Sequence, residues 1–168
     1  GLSGIALAIY RLGEYLNREE STDVAAKLLI REFALVQQGG WTDRHQYNGK
    51  PLVGWCHGAA GIAVALSNMP KITNKNPVIT DYFGCAVGET LKDGFFDSHC
   101  LCHGSIGNLM CLQACGLDES KLAELSERIF QNIQSKGFMS FGRAQTMSIG
   151  LMTGLAGVGY LSISNSEL

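Results

Sequence analysis

Two short motifs in this chain combine thiol and imidazole side chains at matching positions. One Cys-His-Gly triplet contains Cys56 and His57, and a second triplet, 46 residues further on, contains Cys102 and His103. Thiolate sulfur and imidazole nitrogen are ligands that Zn²⁺ prefers in proteins. If the triplets occupy equivalent turns of a repeated fold, these four side chains lie close together and form a candidate zinc site.

Further cysteines and a histidine lie near these triplets or within apolar segments. His99 would either support a bound zinc from outside the ligand set or hold the loop before the second triplet, and Cys100 could supply a fourth ligand. Cys85, Cys111 and Cys115 lie among apolar residues of predicted helices, so we expect them to be buried as small apolar side chains. The cysteine spacing in a chain of this size does not indicate a disulfide framework.

A glycine pattern that occurs four times places the triplets within a repeat. Each copy has a Gly, two small or apolar residues and a second Gly, and the first glycines are Gly1, Gly58, Gly104 and Gly154. The steps of 57, 46 and 50 residues between them are each long enough for two helices and two loops. Small and aliphatic residues without a polar stripe follow each copy, which predicts a helix that is buried on all sides.

Amphipathic stretches alternate with these apolar segments. Apolar residues recur at helical spacing over Thr22–Gln38, Asn76–Lys92 and Asp118–Ser135, which predicts three surface helices. Buried and exposed helices that alternate along a chain are typical of an inner ring of helices inside an outer ring. We therefore predict one all-α domain over 1–168, an α/α toroid of helical hairpins that is incomplete in this chain. An open helical solenoid has the same periodicity and stays an alternative.

Composition and charge exclude several classes of function. The 168 residues carry a formal charge of −2, and 46% are hydrophobic and 17% charged. The sequence has no basic cluster of the kind found in nucleic-acid-binding surfaces. No apolar run reaches the roughly 18 residues of a membrane span, and no phosphate-binding glycine motif occurs. We expect a cytoplasmic domain. Because the chain begins at Gly1 directly in an apolar repeat, we also expect it to be part of a longer protein.

Together, the motifs resemble those of the lanthionine synthetase C-like family. The resemblance is carried by Trp55–Gly58, Leu101–Gly104 and Gly154–Tyr160, and the first two are most similar to the cyclase region of class II lanthipeptide synthetases. The resemblance implies an α/α toroid with a central zinc, bound by Cys56, Cys102 and His103. It also implies that a peptide cysteine thiol adds to a dehydroalanine or dehydrobutyrine of the same peptide and closes a thioether ring. The implied partners are a dehydrated precursor peptide and a dehydratase domain or partner protein.

The resemblance also suggests a catalytic residue. His57 stands where the stand-alone cyclases have a tyrosine. It would either supply or steer the proton that the enolate of the addition requires, or hold a loop as a histidine at the start of a helix. The catalytic histidine of the family would immediately precede Gly1, and its catalytic aspartate would lie further upstream. We therefore expect this chain to bind zinc but to be inactive alone.

Two other functions are compatible with a helical fold of this kind. A zinc-stabilised helical scaffold that binds peptides without turnover would have four protein ligands and no exchangeable position. A glycosidase or terpene-type enzyme would carry carboxylate pairs or clusters at the centre of the ring. The repeated turns of this sequence carry Cys and His instead, which disfavours the second alternative.

Overall fold

The computed structural model of this chain describes residues 1–39, 41, 46–47, 50–51, 53–96, 98–140 and 148–164. Within them, eight α-helices account for nearly all of the regular structure: α1 (Leu2–Leu16), α2 (Glu20–Gly39), α3 (Ala59–Ser67), α4 (Pro70–Thr73), α5 (Pro77–Asp93), α6 (Ser105–Ala114), α7 (Glu119–Lys136) and α8 (Leu155–Ser164). The strands described are β1 (Gln46–Tyr47) and β2 (Lys50–Pro51), which pair as a short antiparallel hairpin. The sequence periodicity does not predict this hairpin.

The helices form hairpins that pack side by side. Helix α1 contacts α2, α3 contacts α5, and α6 contacts α7, so each apolar helix packs against an amphipathic helix that follows it. In addition, α3 contacts both α1 and α6, so these three apolar helices are neighbours, and the amphipathic helices α2 and α5 contact each other. The predicted all-helical class is therefore confirmed, while closure of these layers into a toroid stays a prediction.

The position of each apolar helix in the stack determines how far it is buried. In α3 and α6, which have neighbours on both sides, Ala60, Leu66 and Leu112 are completely buried. The prediction of burial on all sides is wrong for α1 and α8, where Tyr15 and Ile163 are largely exposed, because each has a described repeat on one side only. No helix among the residues that the structure describes is both long and apolar enough to cross a membrane.

The three predicted surface helices are confirmed as α2, α5 and α7. Polar side chains cap the N-termini of α5 and α7. Asn76 accepts a hydrogen bond from the Val78 amide at 3.1 Å, and Asp118 accepts one from the Ser120 amide at 3.0 Å. Such caps satisfy amide groups that the first turn of a helix leaves without an intrahelical partner.

The expected burial of the three helical cysteines is only partly confirmed. Cys111 is buried and Cys115 is half-buried, but Cys85 is exposed. The buried side chains of α5 include Tyr82 and Ala86, and Cys85 faces away from the stripe that they form. An apolar neighbourhood in the sequence therefore does not identify the buried face of this helix.

In three of the four copies of the repeated motif, the second glycine allows the apolar helix to start directly against its own loop; Gly4, in the first copy, has open space around its Cβ position. A Cβ atom at this glycine would clash with the carbonyl oxygen of the residue six positions earlier, at 2.0 Å for Gly61, 1.8 Å for Gly107 and 2.5 Å for Gly157. Real Cβ atoms do not approach backbone oxygens this closely. The three repeats therefore share one loop-to-helix geometry, which requires glycine at this position.

A buried asparagine connects neighbouring repeats. The side-chain amide of Asn108, which is fully buried in α6, donates to the carbonyl oxygens of Val53 at 2.8 Å and Gly94 at 2.7 Å. Val53 lies in the loop that leads into the first Cys-His-Gly triplet, whereas α6 follows the second triplet. This contact therefore helps to fix the position of one triplet relative to the other.

We predict opposite effects for two glycine-to-alanine substitutions. Gly107→Ala places a methyl group against backbone and should lower the free energy of unfolding by at least about 1–3 kcal/mol, the usual cost of overpacking. Gly84→Ala, in the exposed interior of α5 with open space around its Cβ position, should raise it by up to about 1 kcal/mol. Thermal unfolding followed by circular dichroism measures both. Equal stability of the two variants would contradict the proposed role of Gly107.

Candidate metal centre

Two loops with the same backbone pattern carry the Cys-His-Gly triplets. In the first loop the Gly61 amide donates to the Gly54 carbonyl at 3.2 Å, and in the second the Gly107 amide donates to the Cys100 carbonyl at 3.4 Å. In both loops the acceptor lies seven residues before the donor, so the hydrogen bonds are equivalent in the repeat. Each loop is therefore anchored to the first turn of the helix that follows it.

Backbone hydrogen bonds also link one loop to the next. The Cys56 amide donates to the Cys102 carbonyl at 3.2 Å, and the Cys102 amide donates to the Met152 carbonyl at 2.8 Å. Met152 occupies in the last repeat the place that the two cysteines occupy in theirs, so equivalent residues of three successive repeats are joined in series. A Cβ atom at Gly54 would lie 2.7 Å from Cβ of His103, so the loops also pack tightly.

This convergence brings three of the predicted ligands together. The sulfur atoms of Cys56 and Cys102 and an imidazole nitrogen of His103 all lie within 4.8 Å of one another. Nδ1 of His103 lies 3.7 Å from the Cys56 sulfur. Two sulfur ligands at about 2.3 Å from one tetrahedral zinc ion are about 3.8 Å apart. The spacing and the chemistry of these donors therefore fit a single ion of this kind.

Burial and contacts within the cluster determine the pKa values of its side chains, and so their protonation states. Burial, followed by the hydrogen bond and the charge of Cys102, raises the pKa of the Cys56 thiol to about 12. A hydrogen bond with Cys100 raises the pKa of His103 to about 8, although burial acts in the opposite direction. Burial also raises the pKa of Cys100, but its hydrogen bonds with His103 and Ser98 outweigh this and lower it to about 7. Without a metal, Cys56 and His103 therefore retain protons at neutral pH.

The two nearby candidates, His99 and Cys100, have different positions. His99 is 1% exposed, and its Nδ1 accepts a hydrogen bond from the Met139 amide at 3.0 Å. Its Nε2 therefore carries the proton and donates to Asn132 at 3.0 Å. These contacts hold the loop against α7, which supports the loop-holding role of His99. Cys100 contacts His103 but lies outside the group of three mutually close ligand atoms.

A cavity of about 510 Å³ lies beside the cluster, and both Cys56 and His57 line it. The exposed side chain of His57 is therefore next to a metal-ligand candidate, on the open side of the cluster. Cys56 is also exposed, whereas Cys102 and His103 are half-buried. Within the residues that the structure describes, the cluster is therefore open toward the cavity.

Sequence reasoning did not identify every residue that shapes this site. Asn108 reads as one polar residue in an apolar helix, and nothing in the sequence indicates that it reaches carbonyl groups of two other segments. Glu32 occupies a polar position of the amphipathic helix α2, yet it lines the cavity. A carboxylate at such a position ordinarily faces water, so the periodicity carries no signal for it.

Two comparisons with known proteins match this chain to one family. The family profile described as "Lanthionine synthetase C-like protein" matches residues 1–167. A relative is "Lacticin 481/lactococcin biosynthesis protein LcnDR2" of Lactococcus lactis subsp. lactis, which is 30% identical over 182 aligned residues. The alignment covers 95% of this chain and 19% of the relative, so the chain spans about a fifth of the length of that protein. With converging loops of the expected composition and a family match along almost its whole length, the chain belongs to the lanthionine synthetase C-like family.

Proposed function

We propose that this chain is the zinc-bearing part of a cyclase domain that closes thioether rings in lanthipeptide biosynthesis. The observation that carries the proposal is the mutual approach of the Cys56, Cys102 and His103 ligand atoms within 4.8 Å, next to an open cavity. The substrate would be a dehydrated precursor peptide, supplied by a dehydratase domain or partner protein. Because the chain covers only a fifth of its relative's length, the ring-closing activity is proposed for the protein that contains it.

The ligand set favours an open, catalytic zinc site over a closed, structural one. Cys56, Cys102 and His103 supply three ligands, and two thiolates with one neutral imidazole balance the charge of Zn²⁺. The fourth tetrahedral position is then available to substrate, as in catalytic zinc sites. A zinc ion held there would act as a Lewis acid that keeps an incoming cysteine sulfur deprotonated at neutral pH.

The exposed position of His57 supports a role in proton transfer. In the proposed reaction the substrate thiol loses its proton, sulfur bonds to the β-carbon of the dehydro residue, and the α-carbon then takes up a proton. His57 lines the cavity beside Cys56, where an imidazole can donate that proton to the enolate or direct its delivery.

A reducing compartment would preserve such a site. All six cysteines of the chain are free thiols, and two of them are needed as thiolate ligands. Cytosolic reductants keep thiols reduced, whereas secreted proteins generally oxidise theirs. We therefore propose a cytoplasmic location for the protein.

Removing one ligand tests the zinc assignment. Cys102→Ala should reduce bound zinc from one ion per chain to well below one, and abolish ring closure, while dehydration of the precursor by its own domain or partner continues. Cys85→Ala, which removes an exposed cysteine elsewhere, is the matched control and should retain zinc. Elemental analysis of the purified proteins provides the measurement. Stoichiometric zinc in the Cys102→Ala protein would refute the assignment.

The affinity for zinc should depend steeply on pH. At pH 7 and below, Cys56 and His103 both carry protons that zinc must displace, and each displaced proton weakens binding about tenfold per pH unit of acidification. We expect the apparent dissociation constant to rise by at least about a hundredfold between pH 7 and pH 6, about tenfold for each of these two protons. Competition with a chromophoric chelator measures it, and a constant affinity over this interval would exclude these ligands.

Replacing His57 separates chemistry from metal binding. His57→Phe should retain one zinc per chain but slow ring closure by about a hundredfold or more, the usual contribution of a positioned acid or base. Single-turnover mass spectrometry of a dehydrated precursor gives the rate, and elemental analysis gives the zinc content. A rate equal to wild type would mean that the proton comes from another group.

A further inference from the structure

The two sulfur ligands of the candidate centre also form a pair of neighbouring thiols on different loops. The sulfur atoms of Cys56 and Cys102 lie within 4.8 Å of each other, with a hydrogen bond between the two thiols. The backbones of the two residues are adjacent as well, because the Cys56 amide donates to the Cys102 carbonyl at 3.2 Å. The fold itself therefore places the two thiols side by side.

This arrangement is close to what a disulfide bond requires. The sulfur atoms of a disulfide are about 2.05 Å apart, and its two Cα atoms lie within about 7 Å of each other. The sulfur atoms of Cys56 and Cys102 would have to approach by at most roughly 3 Å. Because the backbone hydrogen bond already holds the two segments together, rotation of the side chains can close this gap while the loops keep their contact.

The other cysteines of the chain are less well placed for such a bond. Cys100 is buried and lies outside the group of three close ligand atoms. Cys111 and Cys115 are four residues apart at the end of α6, where Cβ atoms are about 5–6 Å apart, whereas a disulfide needs about 3.5–4.5 Å. Cys85 is exposed on the outward face of α5. The two ligand thiols are therefore the pair whose oxidation the geometry favours.

We propose that Cys56 and Cys102 form a reversible disulfide when the zinc-free protein meets a peroxide, and that this bond switches the metal centre off. Two sulfur atoms that are bonded to each other cannot serve as two thiolate ligands, so the disulfide and a bound zinc ion exclude each other. The pairing rests on the geometry of the two loops. Its effect on ring closure rests on the proposed cyclase function.

Hydrogen peroxide is the oxidant in this reaction. It transfers an oxygen atom to one thiol, which becomes a sulfenic acid, and one water molecule is released. The sulfur of the second thiol then bonds to the sulfenic sulfur, the S–O bond breaks, and a second water molecule leaves. Together the two thiols lose two electrons and two protons, and the peroxide is reduced to water. Thiol–disulfide exchange with a small thiol restores both cysteines.

Oxidation of zinc-free and zinc-loaded protein tests the proposal. The full-length protein is stripped with a chelator or loaded with zinc, exposed to hydrogen peroxide, and alkylated at its remaining thiols. Protease digestion and mass spectrometry of the stripped protein should identify a cross-linked peptide pair, lighter by two hydrogen atoms, that joins Cys56 to Cys102. This should be the main disulfide between residues of this chain. Bound zinc should slow its formation roughly tenfold or more, because the sulfur lone pairs are then coordinated.

Two substitutions and a reduction step identify the partners and the consequence. Cys102→Ala should abolish the cross-link and leave Cys56 as a sulfenic or sulfinic acid, whereas Cys100→Ala, at a neighbouring cysteine, should leave the cross-link unchanged. Elemental analysis should find well below one zinc per chain in the oxidised wild type, and one per chain after treatment with dithiothreitol. If Cys102→Ala fails to fold, the peptide pair found in the wild type still decides which cysteines join.

The outcomes separate this proposal from the proposed function. A cross-link between Cys100 and Cys102 in its place, equal oxidation with and without zinc, or stoichiometric zinc in the oxidised protein would overturn the proposal. Ring closure by a zinc-loaded protein whose stripped form never joins Cys56 to Cys102 would leave the cyclase function intact and reject only the switch. A reduced protein that binds no zinc and closes no ring would reject the proposed function, even where the cross-link forms.

Discussion

The backbone hydrogen bond from the Cys56 amide to the Cys102 carbonyl is the contact on which the candidate centre depends. It joins residues that are far apart in the chain but equivalent in the repeat, and so it sets the spacing of their side chains. It can form only because each loop lies directly on the helix that follows it, a contact that glycine at the second motif position permits. The metal chemistry therefore depends on backbone contacts that carry no chemistry themselves.

In the last described repeat, the backbone contacts of the triplet loops occur without the cysteine and histidine side chains. Met152 accepts the next hydrogen bond of the series, and Gly157 starts its helix against its loop as Gly61 and Gly107 do. Met152 and Thr153, however, stand where the other two repeats have cysteine and histidine. The same backbone geometry thus recurs without metal-ligand side chains, so substitutions within a repeated turn can add or remove ligands without redesign of the fold.

The sequence alone predicts those features of the molecule that recur along it. Helical periodicity identifies α2, α5 and α7 to within about two residues at each end, and the repeated triplets indicate which residues converge. Features that depend on a single contact between distant segments are not predictable in this way. Asn108 reaches two carbonyl groups outside its own helix, Cys85 faces outward from a helix of apolar character, and Glu32 turns a polar helix position toward a cavity.

The number of close ligand candidates favours an enzyme over a structural scaffold. Among the described residues, three ligand atoms lie within 4.8 Å of one another, which leaves one tetrahedral position of a bound zinc ion open. Cys102 and His103 are half-buried, whereas Cys56 is exposed and lines the cavity. Within the described part of the chain, the cavity side of the cluster is open to a fourth ligand. Cys100, the fourth-ligand candidate from the sequence, lies outside the group of three close ligand atoms and contacts Ser98 instead. The open side of the cluster is thus the side on which a peptide thiol could bind.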